Sequence, residues 1–208
     1  MFIALIVYFA VYDESITGVF VLLAIAFSGS IQALIYLFSK DIKVPKHSFL
    51  KEDLTVRYLV LSFGFLIFLP FSRGTYEPFV IIYLLVLIWT SDSFAYLIGK
   101  NLGKRRLFMS VSPKKTIEGF IGGIVFTMIA AVVISYYSDL LSRLHWIILS
   151  IIVSVMGTLG DLIESKFKRE ANIKDSGNIM PGHGGMLDRL DSLIFIAPFV
   201  YLYLYFLN

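Results

Sequence analysis

Four acidic side chains lie near the ends of two long apolar stretches, where carboxylates are unusual. Asp161 and Glu164 lie at the end of one stretch, and Asp188 and Asp191 lie at the start of another. Each pair has i, i+3 spacing, which places both carboxylates on one face of a helix. Oxygen ligands at this density are typical of a site that holds Mg²⁺ together with substrate phosphates. Glu164 has an alternative to a metal-binding role, because Lys168 lies four residues later and can form an ion pair with it.

A fifth carboxylate, Asp92, lies inside an apolar stretch. On insertion scales a carboxylate at such a position costs about 2.5–3.5 kcal/mol, so its presence needs a reason. A hydrogen bond to a neighbouring Ser or Thr within a helix pair is one interpretation. A functional role is favoured, since ionisable groups within membrane segments usually serve one.

A glycine-rich turn surrounds His183 just before the apolar stretch that Asp191 opens. Backbone N–H groups and the helix dipole favour an anion at such a helix start. A merely flexible turn is the alternative, but the basic residues before the turn favour a phosphate site. His183 could be a general base, a phosphate donor or a packing residue, and the donor role is favoured because nothing orients it as a base. The expected phosphate-binding groups are Gly182, Gly184, Gly185, Lys168, Arg169 and Lys174.

A second basic cluster follows Ser112. Ser112 and Pro113 match the N-cap and first position of a helix, so we predict that a helix begins there. Lys114 and Lys115 would then lie in the first turn and oppose the helix dipole, unless an anion is bound there. The general excess of cations on the cytoplasmic side is the alternative explanation.

The composition shows which elements must position these residues. Of 208 residues 58% are hydrophobic and 16% are charged, which excludes a water-soluble globular protein. Cysteine is absent, so a disulfide framework, a thiolate zinc site and a cysteine nucleophile are excluded. Six of seven apolar stretches are long enough to span a bilayer. These stretches are 2–12, 16–38, 54–71, 78–99, 117–138, 146–163 and 190–207.

We therefore predict an all-α, polytopic integral membrane protein with about seven helices and one transmembrane domain over 1–208. The first stretch is short, and we expect that the beginning of its helix is missing from this chain. On one side of the membrane, the links and their flanking helix ends contain 16 of the 18 Lys and Arg residues, and the links on the other side contain 2. The two kinds of link alternate strictly along the chain. The basic side is expected to be cytoplasmic. Gly119 and Gly123 have the spacing of close helix packing or dimerisation.

Two classes of function fit these residues. One is a Mg²⁺-dependent enzyme that handles nucleotide or lipid phosphates at the cytoplasmic surface, and the other is a cation transporter with buried carboxylates. A transporter places its acids near the bilayer midplane, whereas most of the acids here lie at the cytoplasmic boundary beside a basic turn. The enzyme is favoured.

The segment 165–191 resembles the signature of CDP-diacylglycerol synthases, also called phosphatidate cytidylyltransferases. Two further blocks, 92–96 and 112–119, resemble the same family, so the resemblance covers about residue 89 to the end. Met180 departs conservatively from the usual residue. The signature positions that match are Ser165, Lys168, Arg169, Lys174, Asp175, Gly177, Pro181, His183, Gly184, Gly185, Asp188, Arg189 and Asp191.

The resemblance implies transfer of a cytidylyl group from CTP to phosphatidic acid, giving CDP-diacylglycerol and pyrophosphate. It also implies Mg²⁺ as cofactor, with a second cation such as K⁺ left open. The protein is expected to be a homodimer in the plasma membrane, with its active site facing the cytoplasm. No nucleic-acid partner is expected. Family members usually have further N-terminal helices, and we expect that these are missing from this chain. Within this interpretation, residues 54–208 form the core of the site and 164–189 form a cytoplasmic signature loop.

We assign the roles as follows. Asp161 and Asp188 are expected to hold the metal, with Asp191 and Asp92 as further carboxylate ligands or neighbours. The catalytic set is Asp161, Asp188, Lys168 and His183. Related alternatives are a CTP-dependent lipid kinase and a synthase acting on ether lipids. The expected substrate-binding residues are Ser112, Lys114, Lys115, Ser165, Arg169, Lys174, Asp175, Gly184, Gly185 and Arg189.

Overall fold

A computed structural model of the chain describes residues 16–39, 56–173 and 187–207. Within these ranges the protein is almost entirely helical, as the apolar stretches predict. A small β-hairpin is the exception. The α-helices are α1 Ile16–Phe38, α2 Leu61–Phe68, α3 Phe79–Leu102, α4 Ile117–Tyr137, α5 Arg143–Glu170 and α6 Leu187–Tyr205.

The prediction of an all-α polytopic membrane protein is confirmed, with six helical segments in the described ranges rather than seven. The first predicted stretch, 2–12, lies outside the described residues. Among the described residues, four helices are long and apolar enough to cross a membrane, and they are α1, α3, α4 and α5. The segments Val56–Phe71 and Leu190–Tyr205 are apolar but shorter. Of the six stretches expected to be long enough to span a membrane, four are therefore confirmed within the described part of the chain.

The segment before α3 is not one regular helix. It consists of a π-helix over Val56–Val60, then α2, and then a 3₁₀-helix over Leu69–Phe71 that contains Pro70. Proline has no backbone N–H and restricts the preceding residue, which accounts for the change of helix type at this end.

The contacts divide the described chain into two compact units, residues up to Tyr76 together with those from Ala197 onward, and Glu77–Ile196. In the first unit, the rings of Phe27 and Phe199 meet edge to face at 4.9 Å. The Arg57 guanidinium donates to Gln32 Oε1 at 3.0 Å. The second unit contains every described residue that we assigned to the site. That residues 1–208 form one catalytic domain stays a prediction.

Helices α3 and α4 pack closely through glycines of α4. A Cβ atom on Gly119 would lie 2.5 Å from the Ala95 carbonyl oxygen, and one on Gly123 would lie 3.0 Å from the Ser91 carbonyl oxygen. The rings of Phe94 and Phe126 stack at 3.9 Å between the same helices. The predicted close packing at the G-x-x-x-G spacing is therefore confirmed, within this chain.

A β-hairpin connects α3 and α4, and here the predicted helix start is wrong. Strand β1 (Arg106–Phe108) pairs antiparallel with β2 (Ser112–Thr116). Helix α4 begins only at Ile117, because the Thr116 hydroxyl accepts the Gly119 N–H at 3.1 Å and thereby caps the helix. Pro113 is tolerated because each strand of a two-stranded sheet has an open edge. The lysines therefore precede the helix and lie on the strand.

Helix α5 continues beyond the predicted stretch to Glu170, so the segment that we expected to begin a loop at 164 is helical at first. Gly160 brings α5 close to α6, since a Cβ atom there would lie 2.6 Å from Phe195 Cβ and 3.2 Å from the Asp191 carbonyl oxygen. The Ser192 hydroxyl donates to the Gly157 carbonyl oxygen at 3.2 Å. This contact brings Asp191 beside the second half of α5.

Candidate functional site

Three carboxylates from two helices converge where α5 and α6 meet. One oxygen each of Asp161, Glu164 and Asp191 lies within 4.8 Å of the others. Asp161 and Glu164 share a face of α5, as their spacing predicted, and Asp191 approaches from α6. Asp188 lies one turn before Asp191 on α6, and its side chain lies outside the described part of the structure.

Each carboxylate of this cluster has a partner. Asp161 forms an ion pair with Lys115 and accepts a hydrogen bond from the Ser165 hydroxyl at 3.3 Å. Asp191 Oδ1 accepts the backbone N–H of Ser192 at 2.6 Å. Glu164 is buried and pairs with Lys168, so the pairing proposed from their spacing is present.

The cluster suits a divalent cation. Three negative oxygens this close repel one another in a partly buried region. Hard oxygen ligands are those that Mg²⁺ takes, at about 2.0–2.1 Å, so opposite ligands lie about 4 Å apart. The observed separation of up to 4.8 Å needs only a small closure around such an ion. Asp161, Glu164 and Asp191 are the described residues that could hold it.

A cavity of about 510 Å³ adjoins the cluster, between α3, the hairpin, α4 and α5. Four basic and two acidic side chains line it, so its wall favours an anionic ligand. The charged lining residues are Asp92, Lys100, Arg106, Lys114, Lys115 and Asp161.

Asp161 connects the two features, since it belongs to the carboxylate cluster and also lines the cavity. Lys115 reaches it from the hairpin, across 46 residues of sequence. Asp92 lies in the cavity wall and is not one of the three clustered carboxylates. A ligand that occupies the cavity would therefore meet cations and, at Asp161, the edge of the candidate metal site.

Thr116 fixes the hairpin against the helices. It is buried, and Cβ atoms added at Gly99 or Gly119 would come within 2.8–2.9 Å of its Oγ1 atom. Such close approach requires glycine at these positions. Because Thr116 is held in this way, the preceding residues Lys115 and Lys114 are placed at the cavity.

The structure brings together many of the residues that we predicted, though their roles stay predictions. Asp92, Lys114, Lys115 and Asp161 line the cavity, and Ser165, Lys168 and Asp191 lie at the cluster. Ser112 begins β2 and Arg169 lies in the last turn of α5, and neither lines the cavity. Lys174, Asp175, His183, Gly184 and Gly185, and the side chains of Asp188 and Arg189, lie outside the described part.

Several cavity residues were not predicted. Tyr96 and Lys100 follow Asp92 at intervals of four residues on α3, so one helix face carries all three. That spacing is a signal that sequence analysis can use. Arg106 reaches the cavity from a strand that was not predicted, and Thr158 and Phe120 give no pattern of their own.

Comparisons with known proteins point to one family. The model of the cytidylyltransferase family matches residues 1–207. The phosphatidate cytidylyltransferase of Bacillus subtilis (strain 168) is 49% identical over 122 residues, which are 58% of this chain and 45% of that protein. The enzymes of the same name from Staphylococcus haemolyticus (strain JCSC1435) and Staphylococcus aureus (strain COL) are 47% and 48% identical over 120 residues, which are 57% of this chain and 46% of each relative.

The matched segment covers less than half the length of these relatives. The family model, in contrast, extends over nearly the whole chain. The resemblance of the signature segment to the CDP-diacylglycerol synthases is thereby confirmed at the level of the family. This chain belongs to the cytidylyltransferase family.

Proposed function

We propose that this membrane protein transfers a cytidylyl group from CTP to phosphatidic acid, releasing CDP-diacylglycerol and pyrophosphate. The observation that carries the proposal is the position of Asp161, which belongs both to a three-carboxylate cluster and to the wall of a cationic cavity. A site for two phosphate substrates needs such a combination, because their negative charges must be neutralised next to each other.

The reaction needs little covalent help from the protein. An oxygen of the lipid phosphate forms a bond to the α-phosphorus of CTP, and the bond from that phosphorus to the bridging oxygen of the β-phosphate breaks. The attacking oxygen is already anionic near neutral pH, so no strong base is required. Positioning and charge neutralisation therefore dominate the rate.

The residues of the chain divide this work by location. Lys114 and Lys115, on the hairpin side of the cavity, would hold the lipid phosphate, while Lys168 and Arg169, at the end of α5, would hold the triphosphate. Asp161, with Glu164 and Asp191, would hold Mg²⁺, which when bound neutralises phosphate charge. Asp188, Lys174, His183 and the glycine-rich turn keep the metal and phosphate roles predicted for them from the sequence. Whether a second cation such as K⁺ binds is an outcome for metal titration.

The lipid would reach the cavity from the side. Tyr96 lines the cavity and is also 65% exposed on the surface of α3. Leu97 on α3 and Ile121 on α4 also expose apolar side chains, which suit acyl chains. A lipid phosphate could therefore enter the cavity while its chains stay among membrane lipids.

The decisive experiment measures pyrophosphate release by the purified chain in detergent. Phosphatidic acid is supplied with CTP, dCTP, ATP or GTP, each with and without Mg²⁺, and the Bacillus subtilis relative serves as the positive control. We expect release only with cytidine nucleotides, phosphatidic acid and Mg²⁺ together. Release without lipid, release with all nucleotides, or cation flux in liposomes without nucleotide would contradict the proposal.

The proposal also places the cavity on the cytoplasmic side of the plasma membrane, where the basic links are expected. The chain has no cysteine, so single cysteines report sidedness cleanly. Met109 at the hairpin and Tyr137 at the far end of α4 are exposed. We expect an impermeant maleimide on intact cells to label Tyr137→Cys and to spare Met109→Cys. The reverse pattern would contradict the orientation.

A further inference from the structure

Glu118, in the first turn of α4, ties the start of the hairpin to that helix. Its carboxylate accepts the backbone N–H of Lys104 at 3.0 Å and that of Arg105 at 3.1 and 3.2 Å. The Ile117 N–H donates in return to the Arg105 carbonyl oxygen at 2.9 Å. The chain between α3 and β1 is therefore attached to the beginning of α4 by its backbone.

This attachment bears directly on the lysines of the cavity. Arg106 pairs with Thr116 across the hairpin, so fixing Lys104 and Arg105 also fixes the end of β2. Lys115 immediately precedes Thr116, and its ammonium reaches Asp161. Any freedom of the hairpin relative to α4 would therefore displace the Lys115 side chain from the cavity wall.

The hairpin needs such an attachment, because its strands have only three and five residues. A two-stranded sheet of this size is at best marginally stable by itself. A carboxylate that accepts backbone N–H groups makes a stronger hydrogen bond than a neutral acceptor, and its negative charge is also favourable at a helix N-terminus. Among the described residues, Glu118 belongs neither to the cavity lining nor to the carboxylate cluster, so a direct ligand role is not indicated.

We propose that Glu118 is a positioning residue that holds the hairpin in the arrangement in which Lys114 and Lys115 can bind an anionic substrate. The inference rests on the proposed function where it concerns turnover. Without the carboxylate, the hairpin would be correctly placed for only a fraction of the time. Apparent affinity falls in proportion to that fraction, whereas molecules that have bound substrate in the correct arrangement react normally.

The kinetic test compares Glu118→Ala and Glu118→Gln with the wild-type protein. Glu77→Ala is the matched control, since Glu77 precedes α3 at its other end. We expect Glu118→Ala to raise KM for phosphatidic acid about tenfold, with kcat within about twofold of wild type. Glu118→Gln should recover most of the loss, because an amide oxygen still accepts hydrogen bonds, and Glu77→Ala should have no effect. A fall in kcat at unchanged KM, or equal impairment by Gln and Ala, would overturn the inference.

A second measurement is independent of activity. A nitroxide on Met109→Cys, at the exposed tip of the hairpin, reports hairpin motion in the otherwise cysteine-free chain. We expect clearly faster label motion in Glu118→Ala, motion close to wild type in Glu118→Gln, and wild-type motion in Glu77→Ala. Unchanged motion in Glu118→Ala would overturn the inference even in an active protein.

The measurement also separates this inference from the proposed function. If the wild-type protein releases no pyrophosphate but Glu118→Ala shows faster label motion, the positioning role is retained and the proposed function is rejected. If Glu118→Ala elutes as an aggregate, the test rests on Glu118→Gln. A KM and a label motion within about twofold of wild type in Glu118→Gln support the inference, and a larger change in either opposes it.

Discussion

Two lysine–carboxylate pairs lie close together in this molecule, and they are built in different ways. Lys168 and Glu164 are four residues apart on α5, so the helix alone brings them together. Lys115 and Asp161 are 46 residues apart and meet only because the hairpin, α4 and α5 all pack correctly. The first pair depends on local geometry, whereas the second depends on the tertiary structure of the whole site.

The difference predicts which pair matters more for substrate binding. Lys115 and Asp161 both line the cavity, whereas Lys168 and Glu164 do not. Interactions that depend on several elements are lost when any one of them moves, so a protein retains them mainly where their geometry is needed. We therefore expect substitutions at the nonlocal pair to affect turnover more than substitutions at the local pair.

The largest effect is expected for Asp161→Asn. The amide keeps the size of the side chain but removes the charge that the cavity and the carboxylate cluster share, so turnover should fall about 1,000-fold or more. Pyrophosphate release by the purified variant measures this. Asp139→Asn, in the exposed link between α4 and α5, is the matched control and should retain wild-type activity. Near-normal turnover of a folded Asp161→Asn protein would contradict the assignment.

The second largest effect on activity is expected to differ between the two lysines of β2. Lys115 is half-buried and paired with Asp161, whereas Lys114 is exposed on the strand. Charge in a partly buried site interacts more strongly than charge in water, so Lys115→Met should lower kcat/KM about 100-fold and Lys114→Met about tenfold or less. Steady-state kinetics on both variants decides this. Equal losses would mean that the ion pair with Asp161 does not distinguish these lysines.

The same contrast explains how much could be predicted. Glu164–Lys168 follows from helical spacing, and the apolar stretches predict most helix positions, because both depend on neighbours in sequence. The hairpin was missed because Ser112 and Pro113 also fit a helix start, and the contacts that favour the hairpin, such as packing of Thr116 against Gly99 and Gly119, are tertiary. That Lys115 meets Asp161 could not be derived from spacing at all.

A third, smaller effect concerns the contact that joins α5 to α6. A Cβ atom in Gly160→Ala would lie 2.6 Å from Phe195 Cβ and 3.2 Å from the Asp191 carbonyl oxygen, and neither can move without shifting a helix. Overpacking of this kind costs about 1–3 kcal/mol, and separation of Asp161 from Asp191 should weaken Mn²⁺ binding about tenfold. Electron paramagnetic resonance of Mn²⁺ measures the affinity.

Gly157→Ala is the control for that substitution, one turn earlier on α5. Its nearest neighbour would be the end of the Ile196 side chain at 3.2 Å, which can rotate away. We expect Mn²⁺ affinity close to wild type in this variant. Equal weakening in both variants would show that the spacing of α5 and α6 beside Asp161 is not what sets metal affinity.

The smallest effect is expected at the local pair. In Lys168→Met, Glu164 loses an ammonium partner that competes with a metal ion for its oxygens, so Mn²⁺ should bind about two- to threefold more tightly, in line with the modest strength of i, i+4 pairs. KM for CTP should rise at the same time if Lys168 also holds the triphosphate. Lys166→Met, about 200° around the same helix, is the control and should change neither quantity. Weaker Mn²⁺ binding in Lys168→Met would mean that Lys168 orients Glu164 toward the ion rather than competing with it, and would reverse the role assigned to this pair.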